Sequence, residues 1–444
     1  VRITSLKILS DSRGSVMHML RNDSKIFKSF GEIYFSTIYK DSIKAWHLHK
    51  EATLNYACIK GSVKLVLFDE RSESPTKGKY QEISLSPKNY FLVTIPPNIW
   101  NGFKGLYEPE SIIANCLSLP HNEKEMVRKD HSDQKFNYKF KIMKVTIVGA
   151  GNVGATCADV LAQREIANEI VLLDIKEGFA EGKALDIWET SPVNLYDSKT
   201  IGSTNNYEMT KDSEVVVITS GLPRKPGMSR DDLIATNAGI VKSVTENIVK
   251  YSPNAKIIVV SNPLDVMTYC AYLSANFPSS RVFGMAGVLD TARYRAFLAT
   301  ELNVSPKDIQ AVLMGGHGDT MVPLPRYTTV GGIPVTELIE EEKLNEIIER
   351  TKFGGGEIVK LLGTSAWYAP GASAAQMVEA IVRDQRRIFP VCTWLQGEYG
   401  LSDIYLGVPV VLGKNGIEKI IELDLNADEK ALLSESVDAV KSVM

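Results

Sequence analysis

The spacing of hydrophobic positions divides the chain into two parts with different patterns. In the first 142 residues, short runs rich in β-branched and aromatic side chains are separated by clusters of Gly, Pro, Asn and Ser; residues 62–68, 90–95 and 111–116 are examples. These runs recur about every 8 to 12 residues, which is typical of an all-β sandwich or barrel. The pattern predicts an N-terminal all-β fold.

From residue 143 onward, apolar runs instead precede segments with helical periodicity. The runs are residues 144–148, 170–173, 214–218 and 256–260. Such alternation is the signature of βαβ units around a parallel sheet. It predicts an α/β domain that follows the all-β domain.

Between the two patterns lies a charged segment, residues 122–141, that is poor in aliphatic side chains. We predict an all-β domain over residues 1–130 and a linker over 131–142. An α/β domain over 143–287 and a substrate-binding domain over 288–444 then complete the chain. The length of 444 residues agrees with this division, because domains average roughly 150 residues.

Charge and cysteine content exclude several classes of partner. The net charge of -3 provides no overall positive field for nucleic acid or an anionic membrane, so we expect neither partner. This near-neutral total conceals a basic first part, with 22 Lys and Arg against 15 Asp and Glu over residues 1–142. The five cysteines form no C-x-x-C pair, which argues against disulfides or a zinc site and favours a cytoplasmic location.

A glycine-rich turn follows the apolar run 144–148 and opens a helical segment. In a strand-to-helix turn, G-x-G-x-x-G glycines permit a tight bend, close approach of a pyrophosphate and helix packing, while the helix N-terminus offers free N–H groups. An acidic residue at the end of the second strand binds ribose hydroxyls and repels a 2'-phosphate. We predict a Rossmann-type NAD site, with NAD preferred over NADP. Its residues are Gly149, Gly151, Asn152, Val153, Gly154 and Asp174.

The second part contains a single histidine, His317, in a loop flanked by glycines. Histidine suits a base that takes an alcohol proton near neutral pH. Asp290 and Arg293 have the i, i+3 spacing that places two side chains on one helix face. Two arginines converging on a pocket could hold a dicarboxylate through paired hydrogen bonds. Further candidates are Arg224 and Arg230 in a Pro/Gly loop that could close as a lid, and Asn262, which precedes a proline at a strand end.

Taken together, these motifs resemble the lactate dehydrogenase-like malate dehydrogenases of bacteria. The resemblance covers residues 143–444 and includes G-A-G-N-V-G, G-L-P-R-K-P-G-M-S-R, V-S-N-P, L-D-T-A-R and G-G-H-G-D-T. It implies a Rossmann domain followed by an α+β C-terminal domain. It also implies NAD as cofactor and the reversible oxidation of (S)-malate to oxaloacetate, with a homodimer or homotetramer as the assembly. Lactate dehydrogenase activity is an alternative.

The resemblance also implies a role for each candidate residue. His317 accepts the proton, Asp290 fixes its tautomer, and Arg293 holds the C1 carboxylate of the substrate. Arg230 polarises the C2 oxygen, and Arg224 meets the C4 carboxylate at a position where lactate dehydrogenases carry glutamine. Asn262 binds the reacting oxygen. The remaining residues line the cofactor: Asn237, Val260 and Ser261.

Residues 9–130 resemble the dTDP-4-dehydrorhamnose 3,5-epimerase family of cupin jelly rolls. The matching stretches include I-K-A-W-H-L-H-K and I-P-P-N-I-W-N-G-F. The resemblance implies His47 as the base that removes protons beside a sugar ketone. Lys44 and Asn101 replace the arginine and histidine usual in that family, and residues 116–120 lack its tyrosine.

The first part therefore leaves several functions open. Epimerisation or isomerisation of a dTDP-4-keto-6-deoxyhexose, or sugar binding without catalysis, are alternative main roles for the chain. His47 and His49 lie on one face of a predicted strand, but no third ligand completes a set, so we predict no metal site.

Overall fold

The computed structural model describes residues 1–11, 13–40, 42–107, 109–131, 133–136, 138, 143–222 and 230–443; for Arg230 it describes only the backbone. The chain forms two compact units, Val1–Lys141 and Ile142–Met444. Each unit is described by itself below.

Two five-stranded antiparallel sheets form the first unit. One has the order β1-β9-β6-β11-β4 and the other β12-β5-β10-β7-β8, and a separate hairpin joins β2 to β3. The strands are β1 (Arg2–Ser5), β2 (Ile8–Asp11), β3 (Gly14–Met17), β4 (Glu32–Tyr39), β5 (Ile43–His49), β6 (Leu54–Lys60), β7 (Val63–Asp69), β8 (Tyr80–Leu85), β9 (Phe91–Ile95), β10 (Ile99–Gly105), β11 (Glu110–Leu117) and β12 (Met126–Arg128).

Aliphatic side chains from both sheets meet in one core, as alternation along antiparallel strands requires. Ile38, Leu54, Leu65, Val93 and Ile113 are among its buried members. The prediction of strands at 62–68, 90–95 and 111–116 agrees with β7, β9 and β11.

An aromatic cluster on the second sheet corrects the predicted start of the linker. Phe136 is buried against Trp46 and Trp100, with ring centres 4.6 and 5.0 Å away. Burying an aromatic ring stabilises the folded state, so this residue belongs to the first unit although we assigned it to a linker from residue 131. Residues 137 and 139–142 lie outside the described residues.

A nine-stranded sheet is the centre of the second unit. Its order is β15-β14-β13-β16-β17-β18-β24-β25-β26, in which the first six strands are parallel and the last three continue antiparallel. These strands are β13 (Lys144–Val148), β14 (Glu169–Asp174), β15 (Lys199–Thr204), β16 (Val215–Ile218), β17 (Lys256–Val259), β18 (Val282–Gly284), β24 (Arg387–Gln396), β25 (Ser402–Gly413) and β26 (Gly416–Ile420). The remaining short strands are β19 (Ile309–Gln310), β20 (Leu313–Met314), β21 (Val322–Pro323), β22 (Thr329–Val330) and β23 (Ile333–Pro334).

Helices cover both faces of this sheet, because its strands are apolar on both sides. One apolar cluster contains Ile147 of β13 with Leu161 and the other contains Val148 with Ile248. The helices are α1 (Asn152–Gln163), α2 (Phe179–Glu189), α3 (Ser191–Asn194), α4 (Arg230–Tyr251), α5 (Leu264–Ala275), α6 (Gly287–Leu302), α7 (Glu341–Leu362), α8 (Tyr368–Val382) and α9 (Ala427–Lys441). Among the described residues, no helix combines the length and apolar character that a membrane span requires.

The parallel part of the sheet has the strand order 3-2-1-4-5-6 of a doubly wound dinucleotide-binding fold. The order reverses between β13 and β16, and ligands of such sheets bind beyond the carboxyl ends of the strands at this point. Antiparallel strands β24–β26 extend the same sheet, so the predicted α/β and α+β parts share one sheet within a single compact unit.

Candidate active site

The turn between β13 and α1 lies where the strand order reverses. Gly149 has φ of +111°, and a Cβ there would lie 2.6 Å from Thr219 Oγ1, so a side chain is excluded twice over. At Gly154 a Cβ would collide with the carbonyl oxygen of Gly149. Gly151 is different, because no atom lies within 4 Å of its would-be Cβ and the space beside it is open.

Asp174, at the end of β14, holds this turn from the neighbouring strand. Its Oδ2 accepts a hydrogen bond from the Ala150 amide at 2.7 Å, and its Oδ1 accepts one from Lys176 at 3.0 Å. The first turn of α1 contains no acidic side chain, and Asn152 is exposed. Free N–H groups, open space at Gly151 and a carboxylate at the strand end suit the pyrophosphate and ribose of NAD.

His317 follows β20, and its ring meets Asp290 of α6. The two are joined by a 3.0 Å hydrogen bond between Nδ1 and Oδ2, and Asp290 is only 2% exposed. The charge of Asp290 raises the pKa of His317 above its ordinary value, although burial acts in the opposite direction. With Nδ1 bonded to the carboxylate, Nε2 is the nitrogen that can exchange a proton with a substrate.

Arg293 lies one helical turn after Asp290 and shares its carboxylate. Its Nη1 lies 3.3 Å from Oδ1 of Asp290, while its Nε has no hydrogen-bond partner among the described residues. The side chain is only 13% exposed. A largely buried guanidinium with an unused donor is suited to a carboxylate ligand.

The loop after β17 brings together several of the predicted cofactor residues. The Asn262–Pro263 peptide bond is cis, and the Asn262 side chain is exposed. Asn237 is buried: its Nδ2 donates to the Asn262 carbonyl and its Oδ1 accepts from Leu222, both at 2.8 Å. Ser261 Oγ donates to the Ser220 carbonyl at 2.5 Å, and Val260 is partly buried. Hydrogen bonds of Asn237 and Ser261 thus connect the loops that follow β16 and β17.

Two predicted substrate residues cannot be placed in the site. Arg224 lies outside the described residues, as does the side chain of Arg230. The described residues therefore bring together His317, Asp290 and Arg293, with Asn262 on a separate loop.

Sequence reasoning missed Asp265, three residues after Asn262. Its Oδ2 accepts from the His317 amide at 3.3 Å, and its Oδ1 accepts from the Cys392 thiol at 3.2 Å. Burial raises the pKa of Asp265. The only local signal was an acidic residue in the first turn of an otherwise apolar helix, because both contacts are distant in sequence.

Three consecutive glycines in α7 were missed as well. Gly354 and Gly355 lie beside Arg293: a Cβ at Gly355 would be 3.7 Å from Nη2, whereas one at Gly356 would meet open space. Glycine inside a helix costs about 1 kcal/mol relative to alanine. A run of glycines in the middle of a 22-residue helix was therefore a signal that this stretch has a role other than helix stability.

The first unit has its own candidate site, a cavity of about 560 Å³. His47 lines it together with His49, Tyr34, Tyr56 and Arg128. Within the described part of the chain, no three His, Cys, Asp or Glu side chains cluster in a way suited to a metal ion.

Comparison with known proteins identifies the family of the second unit. Models of the lactate/malate dehydrogenase NAD binding domain and alpha/beta C-terminal domain match residues 143–284 and 287–444. The malate dehydrogenase of Cytophaga hutchinsonii is 75% identical over 302 residues, which are 68% of this chain and 97% of the relative. The chain belongs to the lactate/malate dehydrogenase family.

Solved structures of this family agree. Malate dehydrogenase from Salinibacter ruber is 59% identical with a TM-score of 0.65, and the match covers 68% of this chain and 96% of that one. A Cryptosporidium parvum lactate dehydrogenase complexed with lactic acid and nicotinamide adenine dinucleotide is 38% identical with a TM-score of 0.66, over 69% of this chain and 98% of that one. The family predicted from the motifs is confirmed, as is an NAD-binding domain.

A third family model, dTDP-4-dehydrorhamnose 3,5-epimerase, matches residues 1–150. The resemblance predicted for the first part is therefore also confirmed.

Proposed function

We propose that this chain is an NAD-dependent malate dehydrogenase that interconverts (S)-malate and oxaloacetate, with residues 143–444 carrying the activity. The observation that supports this best is one buried carboxylate, Asp290, in contact with both His317 and Arg293. A proton acceptor and a carboxylate ligand are thereby held side by side, as oxidation of a 2-hydroxy acid requires.

Each side chain has a distinct task. Nε2 of His317 takes the C2 hydroxyl proton, and Asp290 stabilises the imidazolium that forms. Arg293 orients the substrate through its C1 carboxylate, and Asn262 binds the reacting oxygen. The glycine turn and Asp174 would hold NAD+, which when bound would supply the hydride acceptor for C2. We expect Arg230 to polarise the C2 oxygen, the role that the family resemblance implies for it.

A second cation in the site favours malate over lactate, because malate carries a C4 carboxylate and lactate does not. Arg224 supplies that cation where lactate dehydrogenases have glutamine. The relatives from Cytophaga hutchinsonii and Salinibacter ruber, 75% and 61% identical, are malate dehydrogenases, which supports this choice.

Replacing His317 with Asn tests the chemistry. The amide keeps a polar group of similar size but cannot accept a proton, so turnover should fall below detection while NADH still binds. An active His317→Asn variant would mean that another group is the base. We also propose a cytoplasmic, homodimeric or homotetrameric enzyme; light scattering of the full chain tests the assembly.

The first unit has a second proposed function, the binding and isomerisation of a nucleotide sugar by a cupin jelly roll. The match of residues 1–150 to an epimerase family supports it, as does a cavity lined by Lys44 and Arg128, whose charges suit a diphosphate. Titration calorimetry of the full chain with a dTDP-sugar should show binding that Arg128→Ala weakens. Titration heats no larger than those of dilution would contradict this function.

A further inference from the structure

The two histidines of the first unit's cavity differ in their partners. His47 and His49 occupy alternate positions of β5 and therefore face the same side of the sheet, and both line the cavity. By family resemblance the base is His47. The hydrogen bonds around the two rings point to the other histidine.

His49 forms a buried pair with Glu125. Its Nδ1 lies 2.7 Å from Oε2, and the two side chains are 8% and 10% exposed. Oε1 of Glu125 accepts hydrogen bonds from the amides of Glu51 and Ala52 at 2.9 and 2.7 Å. A carboxylate fixed in this way holds the Nδ1–H tautomer, leaves Nε2 as a proton acceptor, and stabilises the imidazolium that forms.

His47 has no such support. Among the described residues no carboxylate contacts its ring, which meets the edge of Phe103 with 6.3 Å between ring centres. Burial, with smaller contributions from His49, Arg128 and Lys44, lowers the pKa of His47 to about 4. A general base works best when its pKa is near the working pH, so His47 is poorly matched to proton abstraction at neutral pH.

Two tyrosines also face the cavity, and their hydrogen bonds distinguish them. Asn101 donates through Nδ2 to the His47 carbonyl, so its Oδ1 accepts the Tyr56 hydroxyl proton at 3.2 Å. Asn115 accepts the Asn55 amide with Oδ1, so its Nδ2 donates to the Tyr34 hydroxyl at 2.9 Å. The Tyr56 hydroxyl therefore already donates its proton to Asn101. The Tyr34 hydroxyl accepts a hydrogen bond from Asn115, so its own proton can be donated to a ligand.

We propose that His49, supported by Glu125, is the base and Tyr34 the acid that enolise a nucleoside diphosphate keto sugar in this cavity. This rests on the second proposed function. The C–H bond beside the ketone breaks, its proton passes to His49 Nε2, and its electron pair forms the enediol double bond. The ketone oxygen takes a proton from Tyr34. His49 then returns the proton to the former ketone carbon, while the hydroxyl on the neighbouring carbon gives its proton to the Tyr34 phenolate and becomes the new ketone. Substrate and product are isomers, so no external oxidant or reductant is needed.

Deuterium uptake from D2O into dTDP-4-keto-6-deoxyglucose, followed by NMR on the full chain, tests the assignment. We expect the wild type to exchange, and His49→Gln and Tyr34→Phe to be slower by about 100-fold or more. His47→Asn and the matched Tyr56→Phe should lose less than about tenfold. Glu125→Gln should lower kcat for exchange while KM stays nearly unchanged, a split that a general distortion of the cavity would not produce.

The outcomes distinguish the assignment of the base from the isomerase function itself. Wild-type exchange that survives in His49→Gln but is lost in His47→Asn overturns the base assignment and leaves the isomerase function intact. Binding without wild-type exchange overturns both. Because His49→Gln changes a buried pair, the near-UV circular dichroism spectra of this variant and the wild type are compared first. If that variant is misfolded, Glu125→Asp takes its place, with slower exchange expected and unchanged exchange contradicting the proposal.

Discussion

Nδ1 of His317 lies 3.0 Å from Oδ2 of Asp290, while Oδ1 of the same carboxylate lies 3.3 Å from Nη1 of Arg293. One buried side chain thus fixes both the group that exchanges the proton and the group that binds the substrate. A change at Asp290 should consequently affect proton transfer and substrate orientation together.

Asp290→Asn should change the pH dependence of both reaction directions. Malate oxidation requires neutral His317 and declines as pH falls through its pKa, which Asp290 raises. Without that charge the pKa falls, so the acid limb of kcat/KM for malate should move to lower pH. Oxaloacetate reduction needs protonated His317, so its rate falls as pH rises through the same pKa. In the variant this fall should occur at a lower pH than in the wild type. We expect rates about 100-fold lower or more, because the amide no longer stabilises the imidazolium.

Asp319→Asn is the matched control, since it removes an exposed charge two residues from His317. The acid limb of kcat/KM for malate in this variant should stay close to that of the wild type, because solvent screens the charge of Asp319. An unmoved limb in Asp290→Asn would show that this carboxylate does not set the protonation of His317.

Arg293→Lys should weaken substrate use while the positive charge is kept. Lysine lacks the planar fork that makes two parallel hydrogen bonds to a carboxylate. A loss of about 2–4 kcal/mol corresponds to a fall in kcat/KM of roughly 30- to 1,000-fold. Arg295→Lys is the control, since Arg295 donates to the Pro306 carbonyl instead. Equal effects of the two changes would contradict a substrate role for Arg293.

Asp174→Asn should relax the preference for NADH over NADPH. The amide oxygen can still accept the Ala150 hydrogen bond, so the turn keeps its support, but the charge that repels a 2'-phosphate is gone. The ratio of kcat/KM values for the two cofactors should shift toward NADPH by about 10- to 100-fold. An unchanged ratio would mean that the discrimination arises elsewhere.

Gly355→Ala should reduce activity although it favours the helix. Alanine adds about 1 kcal/mol of helix propensity, but its methyl group would occupy space beside the Arg293 guanidinium. We expect a higher KM for oxaloacetate with no loss of thermal stability. Gly356→Ala, which enters open space on the same helix, should gain the stability without the rise in KM. The same KM in both variants would contradict the need for space at Gly355.

Local motifs made much of the dehydrogenase unit predictable. Strand β13, the glycine turn and Asp174 lie within about thirty residues, and each has a conformational requirement of its own, such as the positive φ of Gly149. His317 was conspicuous as the single histidine of its part of the chain. In contrast, Asp265 contacts His317 across 52 residues, and its position in the first turn of an otherwise apolar helix was the only local signal.

The same reason explains the difference between His47 and His49 in the first unit. Both belong to one strand and look equivalent in sequence, but Glu125 reaches His49 from 76 residues away. The antiparallel continuation of the large sheet by β24–β26 was also not predicted, since strand order depends on pairings between distant segments.

The relative rates of NADH oxidation with oxaloacetate and with pyruvate test the malate dehydrogenase assignment most directly. Two cations should hold the two carboxylates of oxaloacetate, whereas pyruvate leaves one cation without a partner. We predict a kcat/KM for oxaloacetate at least about 100-fold above that for pyruvate, and a fall in this ratio in Arg224→Gln. A wild-type enzyme that prefers pyruvate would contradict the assignment.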